Sequence, residues 1–282
     1  MNVVCLGDCG IDEYETTGDR LPGGITLNFA LQARRAFPPD DAITIVSALG
    51  TDRAAALVRN ALKTGGVECD FTTLDGTTPV QRIALEPDGE RRFTSYDAGV
   101  LERFRPSARQ RAVIEQAGWL VTPHFVQVAG LFDAVLKVPR RGDLAVDFAD
   151  FRQHPDFALL ERSLAHVDVA FFGLHVADSE VLAAIGQLAR DRDRLLVVTL
   201  GGAGSLAYDG SRTHRQAAIP VPAVVDTTGA GDAFAAGFLS RHCHGAPVTA
   251  SLEAGARHAA AAIQQLGGNR SNNGVEPNFS WR

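Results

Sequence analysis

Six short runs recur along the chain that are dominated by apolar residues and lack strict alternation: Val3–Leu6, Ile43–Leu49, Trp119–Thr122, Leu144–Phe148, Val167–Phe172 and Leu195–Leu200. A strand with one wet face alternates apolar and polar residues, whereas a strand covered on both faces stays apolar throughout. Between these runs lie helical spacings such as Ala54, Leu57, Val58, Ala61 and Leu62, or Val181, Leu182, Ile185, Leu188 and Ala189. Strands alternating with amphipathic helices predict an α/β fold: a three-layer α/β/α sandwich around a mainly parallel sheet.

One segment breaks this rhythm. Val80–Leu85 and Arg91–Tyr96 flank Glu86-Pro87-Asp88-Gly89-Glu90, a turn with Asp-Gly chemistry. Gln81, Arg82, Arg91, Arg92 and Thr94 stand among the apolar residues, so one face of these strands is polar. Residues Ile11 to Thr17 alternate weakly and are candidates to join them. The expectation is a single domain over 1–282 that carries a small antiparallel β lid formed by about 11–18 and 78–98. No internal repeat or low-complexity linker interrupts it.

At 282 residues, 45% hydrophobic and 21% charged, the chain can bury a substantial core. A net charge of -6 disfavours a nucleic-acid partner. No apolar run reaches spanning length and no secretory signal precedes the first strand, so a membrane role is not expected. Cys5, Cys9, Cys69 and Cys243 lack zinc or disulfide spacing, which suits free thiols in a reducing cytoplasm.

The chemistry concentrates in Asp226-Thr227-Thr228-Gly229-Ala230-Gly231-Asp232-Ala233-Phe234. The Gly229-Ala230-Gly231 turn allows backbone N–H groups to converge, and the small and apolar run behind it starts a helix. Unpaired amides and the positive end of the helix dipole suit a phosphate there. Asp232 lies in the first helical turn, beside that anion site. A base next to an anion nest is what phosphoryl transfer to a hydroxyl requires. A bare Gly-x-Gly-Asp also reads as ordinary capping. Asp226 and Thr228 can equally fix the turn through side-chain to backbone hydrogen bonds.

The whole nonapeptide resembles the signature of the ribokinase (PfkB) family of carbohydrate kinases, and the likeness runs from Gly7 to about Gly268. The resemblance implies an ATP- and Mg2+-dependent sugar kinase, with Asp232 as base and Gly229, Ala230 and Gly231 as the anion hole. Asp12 and the Gly23-Gly24…Asn28 element resemble the carboxylate and amide that hold the sugar, and Arg82 and Tyr96 on the lid strands join the expected substrate set. Thr199, Gly201 and Gly204, in Thr199-Leu200-Gly201-Gly202-Ala203-Gly204, resemble a loop of the nucleotide site together with Thr228. His258, in a His-Ala-Ala-Ala-Ala-Ile run, resembles a residue beside adenine, although a packed core imidazole explains the same sequence. Asp226 and Thr228, with carbonyls of Gly267-Gly268-Asn269, are implied to hold a monovalent cation, K+.

One family element is missing. The usual Asn-x-x-Glu is replaced by Gly173-Leu174-His175-Val176-Ala177-Asp178-Ser179-Glu180, where Asp178 and Glu180 are either helix acids or act on magnesium through water. Asp147 and Asp150 are further candidates. Asp12-Glu13-Tyr14, Arg92-Phe93, Tyr96 to Val100 and Asp147-Phe148-Ala149-Asp150 look similar to fructoselysine 6-kinases, a branch that also lacks a clean Asn-x-x-Glu. Gly24-Ile25-Thr26-Leu27-Asn28 departs from that branch's Gly-Asn-Ala-Val-Asn. The expected acceptor is therefore a ketose or fructosamine-type sugar. A nucleoside or vitamin kinase and a non-catalytic sugar-binding regulator stay open, and a homodimer through the lid is implied.

Overall fold

The computed structural model describes residues 1–86, 88–149 and 151–269; Pro87 of the predicted turn and Asp150 lie outside the described residues. The strands in chain order are β1 (Asn2–Leu6), β2 (Gly10–Tyr14), β3 (Arg20–Gly23), β4 (Ala42–Leu49), β5 (Glu68–Thr73), β6 (Val80–Leu85) and β7 (Arg91–Asp97). They continue as β8 (Trp119–His124), β9 (Asp143–Phe148), β10 (Val169–Gly173), β11 (Leu195–Thr199), β12 (Ser205–Asp209) and β13 (Arg212–Gln216). The helices are α1 (Ile25–Ala36), α2 (Arg53–Thr64), α3 (Ala108–Glu115), α4 (Ala129–Leu136), α5 (Phe157–Ser163), α6 (Ser179–Arg192), α7 (Ala230–His242) and α8 (Val248–Ala262).

The main sheet runs β13-β12-β11-β10-β9-β8-β1-β4-β5. Every pairing from β11 to β5 is parallel, and β12 and β13 close one edge antiparallel. The non-alternating strands follow from cover on both faces. Val3 and Cys5 of β1 enter one core with α1, α2, α7 and α8, while Val4 and Leu6 enter a second core with α3 to α6. Strand β10 divides its side chains the same way, Phe171 to the first core and Phe172 to the second, where Phe172 stacks on Phe148 at 5.3 Å. Burying one such ring stabilises the fold by roughly 1.5–3 kcal/mol. The expected three-layer sandwich with a mainly parallel sheet is the observed one.

Three strands of this sheet carry no apolar run. Strands β5 and β13 are edges and retain exposed residues, as Glu-Cys-Asp-Phe-Thr-Thr and Arg-Thr-His-Arg-Gln, so neither was legible as a buried strand. Strand β12 lies between β11 and β13 and ends in half-buried residues.

The second sheet has the order β3-β2-β6-β7. Its hairpin β6–β7 is antiparallel as expected, and β2 pairs antiparallel with β3 but parallel with β6. Chain order reverses across the main sheet between β1 and β8, and the residues that follow these strands, Asp8 and Phe125, lie beside Tyr96 of the second sheet, at the kind of place where open α/β sheets bind ligands.

Candidate active site

The helix that carries Asn28 is capped from a distance. Asp8, just past β1, accepts the N–H groups of Ile25 and Thr26 at 3.0 and 3.1 Å and the Thr26 hydroxyl at 3.1 Å. Helix α1 has no acidic residue in its own first turn, so Asp8 supplies the negative charge that its N-terminus favours. Gly24 makes the approach with φ 106°, where a Cβ would stand 2.9 Å from the carbonyl and carboxylate oxygens of Asp8. No sequence motif singles out Asp8, and its place directly after the first strand is the one signal that points to it.

The anion turn is built around Asp226, which is fully buried. Its carboxylate accepts the Thr228 N–H at 2.8 Å, the Gly267 N–H at 2.8 Å and the Tyr14 hydroxyl at 2.5 Å. Those three donors support the turn-fixing role of Asp226. Gly229 begins α7 at φ 75°, and a Cβ there would overlap Gly268 Cα. The Ala230 N–H donates to Thr227 O at 3.2 Å. The Thr228 and Ala230 amides are thus both engaged inside the turn. The Thr228 hydroxyl oxygen is buried and has no hydrogen-bond partner among the described residues.

Asp232 stands in the first turn of α7, buried, and its Oδ2 accepts Asn28 Nδ2 at 3.0 Å. The other end of the Asn28 amide is fixed by Asn269, whose Nδ2 donates to Asn28 Oδ1 at 2.8 Å and to Pro22 O at 2.7 Å. Gly268 O accepts Gln32 Nε2 at 3.0 Å, so the segment after α8 is stitched to α1. Burial, followed by the charge of Asp147, holds the Asp232 carboxyl well above the usual carboxylate range, and the Asn28 hydrogen bond opposes that shift. Asp147, at the end of β9, is pushed up to about 7 by burial and then by Asp8. Asp147 and Asp232 line one recess with Thr26, Thr122 and Pro123.

A second recess lies against the smaller sheet. Asp12, Gln81 and Tyr96 pair in register across β2, β6 and β7, and together with Asp8, Gly10, Gly24 and Pro79 they line it. The Asp12 carboxyl sits directly over Gly23, where any Cβ would overlap it. Burial, then the charges of Asp8 and Asp226, raise Asp12 to about 7. The Tyr96 hydroxyl is buried without a partner among the described residues, and its ring meets Phe125 edge-on at 5.3 Å. Arg82 is not in this row. Neighbours along a strand point to opposite faces, so Arg82 lies with Glu13, at 3.4 Å, and Ser95, at 3.2 Å, while Gln81 takes the position facing Asp12.

Thr199 ends β11, and Gly201 and Gly204 turn the chain with φ 56° and 91°. A Cβ at Gly201 or Gly202 would meet open space, so this loop offers bare backbone. The His258 ring instead packs at the α7–α8 contact, 2.7 Å from where a Cβ on Gly237 would stand, and burial followed by Arg35 lowers it to about 4. That packing supports the core-imidazole reading. Asp178 is engaged by the His175 N–H at 2.8 Å and by Arg152 Nε at 2.9 Å, which makes it a cap of its own loop. Among the described residues, no group of three or more His, Cys, Asp or Glu side chains is arranged to hold a metal ion, and no helix is long and apolar enough to cross a membrane.

The chain is similar over almost its whole length to enzymes that phosphorylate small molecules. It is 31% identical over 270 residues to the fructoselysine 6-kinase of Escherichia coli (strain K12), covering 94% of this chain and 98% of that one. It is 29% identical over 268 residues to the fructosamine kinase FrlD of Bacillus subtilis (strain 168), covering 92% and 90%. Its fold matches the crystal structure of adenosine kinase from Sinorhizobium meliloti with a TM-score of 0.83 at 20% identity, over 95% of both chains. Residues 6–273 match the pfkB family carbohydrate kinase pattern, so a chain with an anion turn, an adjacent buried carboxylate and this sheet order belongs to the pfkB family of carbohydrate kinases.

Proposed function

We propose that this kinase transfers the γ-phosphoryl group of ATP to a hydroxyl of a ketose or fructosamine-type sugar, with Asp232 as the base. The observation that carries the reading is the 3.0 Å hydrogen bond from Asn28 to Asp232. It joins the residue expected to read sugar hydroxyls to the carboxylate expected to take the proton.

In this reading the sugar lies between the two recesses. Asp12, Gln81 and the Tyr96 hydroxyl would bind it from the smaller sheet, which acts as the lid, while Asn28 and Asp147 contact it from below. The Gly23–Gly24 backbone approaches it closely because neither position has room for a side chain. Asp232 accepts the proton of the attacking hydroxyl; a raised pKa makes it a better base once ionised. The Gly229 and Gly231 amides and the N-terminal dipole of α7 would face the transferred phosphoryl group.

The residues present suit the nucleotide. A Cβ at Gly231 would meet open space, the Thr228 hydroxyl is a buried orphan at the helix start, and Gly201-Gly202 is bare backbone. When bound, Mg2+ supplies charge neutralisation on the phosphates. Asp178 is a weak candidate to support it, since its carboxylate already serves His175 and Arg152.

The fructosamine part rests on the similarity to the two fructosamine-directed relatives and on charge. A fructosamine carries an ammonium group, and Asp8, Asp12, Asp147 and Asp232 cluster around the two recesses. The test is a screen of ATP consumption with fructosamines, ketoses, nucleosides and pyridoxal, each product identified by mass. Phosphorylation of fructosamines with a specificity constant at least tenfold above that for nucleosides is expected. Preference for adenosine or cytidine would overturn the sugar assignment, and sugar binding without transfer would overturn the enzyme reading.

A further inference from the structure

Asp12 feels the charges of two other buried carboxylates, Asp8 and Asp226, and the three are unequally supplied with donors. Asp8 accepts two backbone N–H groups and a hydroxyl from the start of α1. Asp226 accepts two backbone N–H groups and the Tyr14 hydroxyl. Asp12 is only 3% exposed, yet it accepts no hydrogen bond from the described residues. A buried carboxylate without a donor is costly, so Asp12 calls for a partner that the protein itself does not supply.

The recess that Asp12 lines is biased toward acceptors. Gln81 pairs in register with Asp12 on one side and Tyr96 on the other. Its Nε2 donates to Ser95 O at 2.8 Å and to Arg82 O at 2.9 Å, so both amide hydrogens are spent inside the lid and Oε1 is left to offer. The Tyr96 hydroxyl is buried without a partner among the described residues, and Phe125 braces its ring. Gly10, Ile11, Gly24 and Pro79 add walls but no side-chain donor. Arg91, the one cation that acts on Asp12, is not part of this lining and spends Nη1 on Thr227. A sugar hydroxyl both donates and accepts, whereas an ammonium group only donates. Side chains that offer acceptors and a single phenolic O–H suit the ammonium better.

We propose that this recess is an ammonium subsite, in which the Asp12 carboxylate takes one N–H of the secondary ammonium on carbon 1 of a fructosamine and the Gln81 amide oxygen takes the other. The Tyr96 hydroxyl, which both donates and accepts, is left for the hydroxyl on the neighbouring carbon. The proposal rests on the kinase reading above and narrows its acceptor from ketoses in general to those that carry a cation. A cation here also offsets the repulsion that Asp12 receives from Asp8 and Asp226, which a neutral ketose leaves in place. The two recesses adjoin at the start of α1: Gly24 lines this one, while Ile25 and Thr26 line the one that holds Asp232. One molecule therefore spans both, and the hydroxyl that reaches Asp232 belongs to the end of the sugar opposite the nitrogen, on carbon 6.

The test compares N-methylfructosamine with 1-O-methylfructose, in which an ether oxygen takes the place of the ammonium. Both are titrated without ATP into wild type, Asp12→Asn and Gln81→Lys, with thermal melting as the check on folding. Wild type is expected to bind the ammonium compound roughly tenfold more tightly or better, the size of effect that one hydrogen bond to a charged group gives. In Asp12→Asn the two affinities should come within about threefold of each other, and in Gln81→Lys, which sets a cation beside the subsite, the preference should reverse. A merely structural loss weakens both ligands together and leaves their ratio unchanged. Equal affinities in wild type, or a folded Asp12→Asn that keeps the full preference, overturns the subsite. Should Asp12→Asn not fold, an unchanged preference in Gln81→Lys overturns it instead. With ATP added, NMR of the product should place the phosphate on carbon 6; phosphate on carbon 3 or 4 overturns the spanning pose. Tight, ammonium-selective binding with no transfer from ATP would overturn the kinase reading and leave the subsite standing.

Discussion

Asn28 Nδ2 donates to Asp232 Oδ2 at 3.0 Å across 204 residues of chain, tying the first helix to the helix that begins at the anion turn. The bond favours the charged carboxylate, whereas burial and Asp147 disfavour it. The acid limb of the pH–rate profile should therefore respond in opposite directions to two substitutions. Asp147→Asn removes a negative neighbour, lowers the Asp232 pKa and moves the limb to lower pH. Asn28→Leu removes the stabilising donor and moves it to higher pH. Profiles of kcat/KM for the two variants check this; shifts of the same sign would contradict it.

The same burial gives stability an unusual pH dependence. Asp12 and Asp147 are raised to about 7, well above 3.8, so between pH 4 and 7 the folded protein keeps protons that the unfolded chain has lost. Stability must fall as pH rises through that window and level off above it. Denaturant midpoints of the ligand-free protein should decrease from pH 5 to 8, and Asp12→Asn should flatten that slope. A midpoint that rises over the range would count against the burial of these carboxyls.

Tyr14→Phe tests the support of the anion turn from the lid side. The Tyr14 hydroxyl gives a 2.5 Å hydrogen bond to a carboxylate that is itself fully buried. Losing a hydrogen bond to a charged group costs about 1.5–3 kcal/mol. Chemical denaturation should show a loss of that size, with a fall in kcat because Asp226 also positions the Thr228 amide.

Gly23→Ala should act on substrate binding. The new methyl group overlaps the Asp12 carboxyl and must displace it from the row shared with Gln81 and Tyr96. The sugar KM is expected to rise at least tenfold while ADP affinity, measured by titration, stays unchanged.

The fold was legible because its central strands are buried on both faces, which writes the layer architecture into runs such as Val3–Leu6 and Leu195–Leu200. Edge strands β5 and β13 were not, since half-exposed residues erase that signal. Within the candidate site, the local turn points to Asp232, whereas Asn28 stands out only through the resemblance of Gly23-Gly24…Asn28 to a family element. The partnership of Tyr14 with Asp226 was not legible, because it depends on how the second sheet docks on the first. Arg82 belongs to the expected substrate set, yet strand parity decides which of two neighbours faces the recess, and that place falls to Gln81.

The central claim is that Asp232 takes the proton from the acceptor hydroxyl. Single-turnover phosphoryl transfer in Asp232→Asn, with enzyme in excess over labelled ATP and with the sugar chosen by the screen, tests it most directly. Asparagine keeps the shape of the side chain and removes the base. A transfer rate lower by about 10²–10⁴-fold, with ATP and sugar affinities retained, is the predicted result. A rate within threefold of wild type would contradict the assignment.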